Sequence, residues 1–357
     1  MTEGKRVHIV GAGLSGLVAA ICLAREGHEV TVLERAKSIG GVHPHHPSNH
    51  STPVNIDLIK DYLGIDITPC LTPQKNMYVY EGGRKYSLTW DCYSVERGPR
   101  KTSLDTFLYD LSLKEGVKFE FNQVVTNPMD LPAPTILATG LFPEMYKALD
   151  RPCVPLPCFS ATRKVEDPER QGELRTWLGL YTNTYGYGPI NNQLDYILLF
   201  SDRNLSQGNL RRFEEELERS EGIRFDRWES FEVFVPMGRP DAPRLFANGR
   251  ILAGTLAGMM EPGAYFGIHG ALLSGRIAAR AVTDPEGAAQ DFKGFNRNYK
   301  MSWYRNRLMN NPQKLYIHRL FFRFPALFGP IMSLTDTGIP GVKHIMGGMK
   351  PECVGFY

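Results

Sequence analysis

Apolar positions change their period several times along the chain, and each change marks an element. Val7 to Val10 form a short apolar run that reads as a strand. Leu17, Ala20, Ile21 and Ala24 then recur at the three- and four-residue spacing of a helix face. Gly27 is placed to end that helix, and HEVTVLE reads as a second strand that finishes in Glu34. ILATG at 136–140 reads as another short strand and turn. Between 155 and 236, CFSATRKV, LRTWLGLY, LDYILLFSD and WESFEVFVP read as strands, and NLRRFEEELERSEG as a helix capped by Asn209 and stopped at Gly222. The stretch 253–282 is mostly apolar, with six glycines in its first 23 positions. Glu261-Pro262-Gly263 interrupts it, so no clean run of about 20 apolar residues remains to span a bilayer.

The first strand runs directly into Gly11-x-Gly13-x-x-Gly16, and the following helix opens at Leu14 and Ser15. Each glycine has a separate physical use. Gly11 permits the tight turn, Gly13 lets a pyrophosphate approach the backbone, and Gly16 brings helix and strand together. A phosphate there meets unpaired N–H groups at a helix N-terminus. Glu34 follows Gly16 by eighteen residues, the distance at which a carboxylate reaches an adenosine ribose. Strand, glycines, helix, strand and acid in register predict a dinucleotide site.

Beyond the acid, ERAKSIGG adds Arg35 and the pair Gly40-Gly41. This resembles the start of flavoproteins of the FAD-binding Rossmann group, in which the loop after the second strand passes the pyrophosphate again. The resemblance implies FAD as cofactor. It assigns Ala138, Thr139 and Gly140 to the turn that closes the adenine side, and a basic position to either Arg100 or Lys101. GRILAGTLAGMMEPGAYFGIHGALLSGRIAARAV resembles the second FAD segment of the group containing p-hydroxybenzoate hydroxylase and the geranylgeranyl reductases. That likeness places Gly254, Thr255, Pro262, Gly267 and Ile268 at the cofactor, followed by a small-residue helix whose N-terminus faces the flavin. Thr255 stands where the group has an aspartate, and its hydroxyl can still donate or accept one hydrogen bond.

The 155–236 block is similar to the substrate domain of the same group, and YTNTYGYGPI to its aromatic strand facing the flavin. Tyr185 and Tyr187 are therefore candidates to line the substrate cavity or donate a proton, or else are ordinary sheet aromatics. Trp177, Phe200 and Phe234 read as core or cavity wall. GVHPHHPSNH carries His43, His45, His46 and His50 and admits three readings: a metal site, a covalent flavin attachment, or a loop near the flavin. In the loop reading one histidine, His43 the first of them, contacts substrate. Two prolines exclude a helical ligand pair, and no metal is expected. No Ser-His-Asp set, carboxylate pair or CxxC…CxxC is visible, so the chemistry would be the flavin's own.

Composition narrows the class. A hydrophobic fraction of 42% and a charged fraction of 22% are those of a globular chain, and the net charge of +3 speaks against a nucleic-acid binder. Six scattered cysteines fit reduced thiols in a cytoplasmic protein, with Cys153 and Cys158 either a redox pair or two ordinary thiols. Residues 292–335 hold eight Lys/Arg, no acid and ten aromatics, broken by Pro312, Pro325 and Pro330. That mixture suits an interfacial membrane contact, with aromatics grouped around Phe321, Phe322, Phe324 and Phe328, or a cover on the substrate cavity, or single-stranded nucleic acid. The expected architecture is α/β: a discontinuous FAD-binding Rossmann-type domain (1–150 with 237–290), an inserted antiparallel substrate sheet (151–236) and a helical C-terminal region (291–357). The expected function is hydride transfer between flavin and a carbon–carbon double bond of a small lipophilic, prenyl or ring substrate. The alternatives are a flavin-dependent desaturase or amine-oxidase-like dehydrogenase, and a non-catalytic binding protein of the same fold. The electron partner is not legible.

Overall fold

In this computed structural model the described residues are 4–41, 43–236, 239–297, 299–309, 320, 322–327 and 350–357. Their strands form three sheets. The first has the order β15-β16-β9-β1-β2-β8, built from β1 (Arg6–Val10), β2 (Glu29–Glu34), β8 (Lys118–Phe121), β9 (Thr135–Leu137), β15 (Phe246–Ala247) and β16 (Arg250–Leu252). β1 is parallel to both β2 and β9, and β9 to β16. Parallel strands buried on both faces need continuous apolar runs, which is why VHIV and TIL lack strict alternation. Helices α1 (Leu14–Arg25), α3 (Leu104–Lys114) and α6 (Ile268–Arg280) belong to this unit. α1 and α6 touch through glycine: a Cβ on Gly275 would lie 2.5 Å from the Ser15 carbonyl oxygen and 2.8 Å from Val18 Cβ.

The second sheet has the order β14-β10-β13-β12-β11-β5-β6-β17. Its strands are β5 (Asn76–Glu81), β6 (Arg84–Thr89), β10 (Val154–Lys164), β11 (Glu173–Leu178), β12 (Gly186–Asn191), β13 (Leu194–Phe200), β14 (Glu229–Val235) and β17 (Lys350–Phe356). Its period-two alternation sorts side chains between two surroundings. Trp177, Ile197 and Leu199 pack with Leu210, Phe213 and Leu217 of α5 (Gln207–Glu221). Their neighbours Thr176, Leu198 and Phe200 face the opposite way, into a cavity. The third sheet joins β3 (Ser48–Thr52), β4 (Leu71–Pro73) and β7 (Tyr93–Arg97). The remaining helices are α2 (Ile56–Leu63), α4 (Pro143–Ala148), α7 (Pro285–Phe295) and α8 (Tyr299–Met309).

Several sequence expectations are corrected here. Residues 76–89, expected within the dinucleotide unit, form β5 and β6 of the second sheet, where β5 runs parallel to β11. The sheet is therefore mixed rather than purely antiparallel. The expected helical C-terminal region ends in strand β17, paired with β6. α5 is capped by Ser206 rather than Asn209. Ser206 Oγ accepts from the Asn209 N–H at 3.3 Å while Asn209 Oδ1 accepts from the Ser206 N–H at 3.1 Å, a reciprocal pair that satisfies two donors at once. Gly222 ends the helix with φ of 63°.

Candidate active site

The β1–α1 turn is held by close backbone contacts. Gly11 has φ of 104°, and a Cβ there would sit 2.5 Å from the Ala138 carbonyl oxygen. A Cβ on Gly16 would lie 2.0 Å from the Gly11 carbonyl oxygen, so helix and turn meet only through glycine. Gly13 differs: no protein atom lies within 4 Å of its Cβ position, and it lines a cavity. That cavity, of about 670 Å³, runs from this turn to the face of the second sheet.

Two helices point their N-termini at it. Gly13 is the N-cap of α1 and Gly267 that of α6; neither end has a side-chain cap, and neither has an acid in its first turn. Uncapped first-turn N–H groups and the positive end of each helix dipole favour an anion. Glu34 lines the same region, its carboxylate accepting from the Ala12 and Ala36 N–H groups, each at 2.8 Å. Arg35 stacks 3.4 Å above the Phe142 ring at the rim. The Thr139 hydroxyl is buried there without a hydrogen-bond partner. An orphaned hydroxyl, two open helix ends and a glycine with free space above it fit a dinucleotide.

Of the residues singled out from sequence, Gly11, Gly13, Leu14, Ser15, Glu34, Arg35, Gly41, Ala138, Thr139, Gly140, Gly254, Thr255, Gly267 and Ile268 all line this cavity. Gly16 and Pro262 are buried behind it. Arg100 turns away: its Nε lies 3.2 Å from Glu96 and its Nη2 donates to the Asn192 carbonyl at 2.9 Å. Besides Arg35, the cavity is lined by Arg97, clamped by Asp105 through bonds of 2.7 and 2.9 Å. Burial and the Asp105 partner explain why sequence did not single it out; it reads as one charge among ERGPRK.

His43 also departs from expectation. It is exposed, 3.9 Å from Glu229, while His45, His46 and His50 line the cavity. Residues 48–52 are strand rather than loop. No cluster of three or more metal-ligating side chains occurs among the described residues. Tyr185 and Tyr187 both line the cavity, with Tyr185 donating to the Ala264 carbonyl and Tyr187 hydrogen-bonded to His50. Burial pushes both phenols well above their usual pKa. Burial also drives the His46 and His50 imidazoles down to about 3, helped by the nearby Arg97 cation. Both rings are neutral at ordinary pH.

The far wall is apolar: Leu156, Leu174, Leu198, Phe231 and Val233 project from the second sheet. Phe322 joins them, 5.3 Å from Tyr86. Its burial fits the cover on the cavity, one of the placements that the sequence leaves open for it. Phe324 is exposed, whereas Phe321, Phe328 and most of 310–349 lie outside the described residues. No described helix is long and apolar enough to cross a membrane. Trp177 lies in the core against α5, Phe200 in the cavity wall, and Phe234 against the apolar core around α1, α6 and the first sheet.

Residues 9–57 match the family described as an NAD(P)-binding Rossmann-like domain. The fold is that of a dinucleotide-binding unit of the FAD type carrying a second, largely antiparallel sheet. A geranylgeranyl bacteriochlorophyll reductase-like protein from Thermoplasma acidophilum superposes with a TM-score of 0.65 at 16% identity, covering 86% of this chain and 87% of its own. CtdE, crystallised with FAD, superposes with a TM-score of 0.59 at 14% identity over 87% of this chain and 94% of its own. Among sequence relatives, flavin-containing monooxygenase FMO GS-OX3 of Arabidopsis thaliana is 28% identical over 133 residues, 35% of this chain and 29% of the relative. An L-amino-acid oxidase of Vipera ammodytes ammodytes is 39% identical over 93 residues, 26% of this chain and 17% of the relative. The chain thus spans less than half of the length of the curated relatives it matches.

Proposed function

We propose that the chain binds FAD across the open ends of α1 and α6 and is an FAD-dependent oxidoreductase. Its substrate is apolar, a prenyl chain or hydrophobic ring, and the reaction is hydride transfer to or from a carbon–carbon double bond. The observation that carries this reading is the single cavity with two unlike ends. One end is a glycine turn with two uncapped helix N-termini, and the other is a sheet face of Leu, Val and Phe. Bound there, FAD would supply a two-electron acceptor and donor. The chain's own contributions are separate. The α1 N-terminus and Thr139 hold the phosphates and hydroxyls, Glu34 the ribose, and the apolar wall excludes water from the reacting carbon.

The likeness to a reductase-like protein and to oxygen-using flavoproteins leaves the acceptor open between an alkene and molecular oxygen. The apolar wall favours the alkene. A dehydrogenase acting on an amino acid, the reading that the oxidase likeness supports, would want a free cation in the substrate half of the cavity for its substrate's carboxylate; Arg35 stacks on Phe142 at the rim. Arg97 is already committed to Asp105. We extend the proposal to a peripheral contact of 292–335 with anionic lipid, through which a lipophilic substrate would enter. Anaerobic reduction of the flavin-loaded protein, followed by mixing with prenyl diphosphates or prenylated rings, tests the chemistry. Flavin reoxidation coupled to loss of one double bond supports it, and reoxidation by oxygen alone refutes it.

A further inference from the structure

The strand β3 contains no apolar side chain in SNHST, yet Ser48, Asn49 and Thr52 are buried. A polar strand in a protein interior needs partners for its side chains. Alternation places Ser48 and His50 on one face, opposite Arg97 and Val95 of β7. On that face the bonds run in series. His46 Nδ1 lies 2.8 Å from Ser48 Oγ, Ser48 Oγ lies 2.9 Å from His50 Nε2, and His50 Nδ1 lies 2.9 Å from the Tyr187 hydroxyl.

We propose that His46, Ser48, His50 and Tyr187 form one proton relay that ends at the Tyr187 hydroxyl in the substrate half of the cavity. The proposal rests on the oxidoreductase reading above only for what receives the proton. Neutral rings make the chain directional. Ser48 has a single hydroxyl proton between two imidazoles, so if it donates to one ring it must accept from the other. Only two polarities exist. In one, Tyr187 donates to His50 and has no proton to offer. In the other, His46 Nδ1–H donates to Ser48, Ser48 to His50 Nε2, and His50 Nδ1–H to Tyr187, whose own proton is free for the cavity.

Transfer converts the second polarity into the first. Tyr187 gives its proton to the substrate and takes one from His50 Nδ1. His50 Nε2 takes one from Ser48, and Ser48 takes one from His46 Nδ1. His46 Nε2 then accepts a proton from water, so one proton enters and one leaves. A hydride added to one carbon of a double bond and this proton added to the other together complete a reduction. The entry point is the His46 end, where the ring packs against the exposed Gly41: a Cβ there would lie 2.5 Å from its Cδ2 and 3.3 Å from Nε2. The charged groups facing the relay are Arg97 and Asp105, which pair with each other; His45, Cys158, Tyr185 and Tyr196 are its other titratable neighbours. The Arg97 cation opposes protonation of either ring, which keeps the relay neutral rather than trapping a proton in it.

The test uses the full chain labelled with 15N-histidine, read by ring-nitrogen chemical shifts between pH 5 and 8. In the wild type both rings stay neutral, each with one protonated and one bare nitrogen. Tyr187→Phe removes the far end of the relay, and a connected chain then shifts the tautomer balance of His46, three groups away. Ser48→Ala must abolish that response, and Ser48→Thr must restore it. If Tyr187→Phe leaves His46 unchanged, the contacts are separate bonds and the relay is refuted. In flavin-loaded protein, Ser48→Ala is expected to slow substrate reduction by about 100-fold with flavin affinity unchanged. The spectra need no flavin, so a wild type that fails to bind FAD overturns the functional reading while the relay is still judged on its own shifts.

Discussion

Replacing Gly13 by valine separates the fold of the glycine turn from its ligand. The three glycines are not equivalent in their surroundings. A Cβ at Gly16 would collide with backbone at 2.0 Å and one at Gly11 at 2.5 Å, so substitution there must move β1 relative to α1 or β9. A Cβ at Gly13 meets no protein atom within 4 Å, and its backbone, with φ of −80° and ψ of 179°, is one any residue adopts. Losing glycine at an N-cap costs about 1 kcal/mol, partly offset by the reduced freedom of the unfolded chain. The new side chain instead occupies the space where a pyrophosphate would meet the α1 N-terminus. Displacing it forfeits one or two hydrogen bonds to a charged group, each worth about 1.5–3 kcal/mol. Gly13→Val should therefore raise the FAD dissociation constant at least about tenfold, and beyond 100-fold if two bonds are lost, 1.4 kcal/mol being a factor of ten. Fluorescence quenching of FAD titrated with apo-protein measures the affinity, and thermal unfolding without FAD measures the fold. Unchanged affinity in a stable Gly13→Val protein would refute the placement of the cofactor.

Other perturbations follow from the same geometry. Glu34→Ala should weaken FAD by about 1–3 kcal/mol, since it removes the ribose partner and frees the Ala12 and Ala36 N–H groups; equilibrium dialysis against FAD and FMN would show the loss for FAD alone. Thr255→Asp should hold FAD at least as well as wild type and Thr255→Val less well, and equal dissociation constants would remove Thr255 from the site. His269 is fully buried on α6 with neither ring nitrogen bonded, and burial lowers its pKa to about 4. Because the folded state resists protonation, stability is full above about pH 6.5 and falls as the pH drops from there towards 4, by roughly 1 kcal/mol per pH unit. Urea midpoints for His269→Leu should show a shallower acid slope. The protein should bind anionic vesicles at low salt and be only partly released at high salt; cosedimentation that leaves it in the supernatant at low salt removes the lipid contact of 292–335.

Legibility in the sequence tracked how local each signal was. The β1–α1–β2 unit could be read directly because its glycines, its helix period and Glu34 occupy one continuous stretch. The strands β10, β11, β13 and β14 were equally visible through apolar runs. β5 and β6 were assigned to the wrong sheet because the parallel pairing of Met77 with Leu174 is set by contacts almost a hundred residues apart, which leave no local mark. SNHST has no apolar alternation to mark β3 as a strand; its burial is supported by hydrogen bonds instead. Arg97 escaped notice for a related reason, since only the fold brings Asp105 to it. His46 and His50 were visible as candidates, but the series through Ser48 to Tyr187 joins residues 137 positions apart in the case of His50 and Tyr187.

The most direct test of the account is titration of the apo-protein with FAD, FMN and NADH, followed by flavin absorbance and fluorescence. A cavity that holds the ribose at Glu34 and the phosphates at α1 predicts one FAD per chain, a yellow protein after gel filtration, and much weaker binding of FMN, which lacks the adenosine half. A colourless protein, or equal affinity for FAD and FMN, would contradict it.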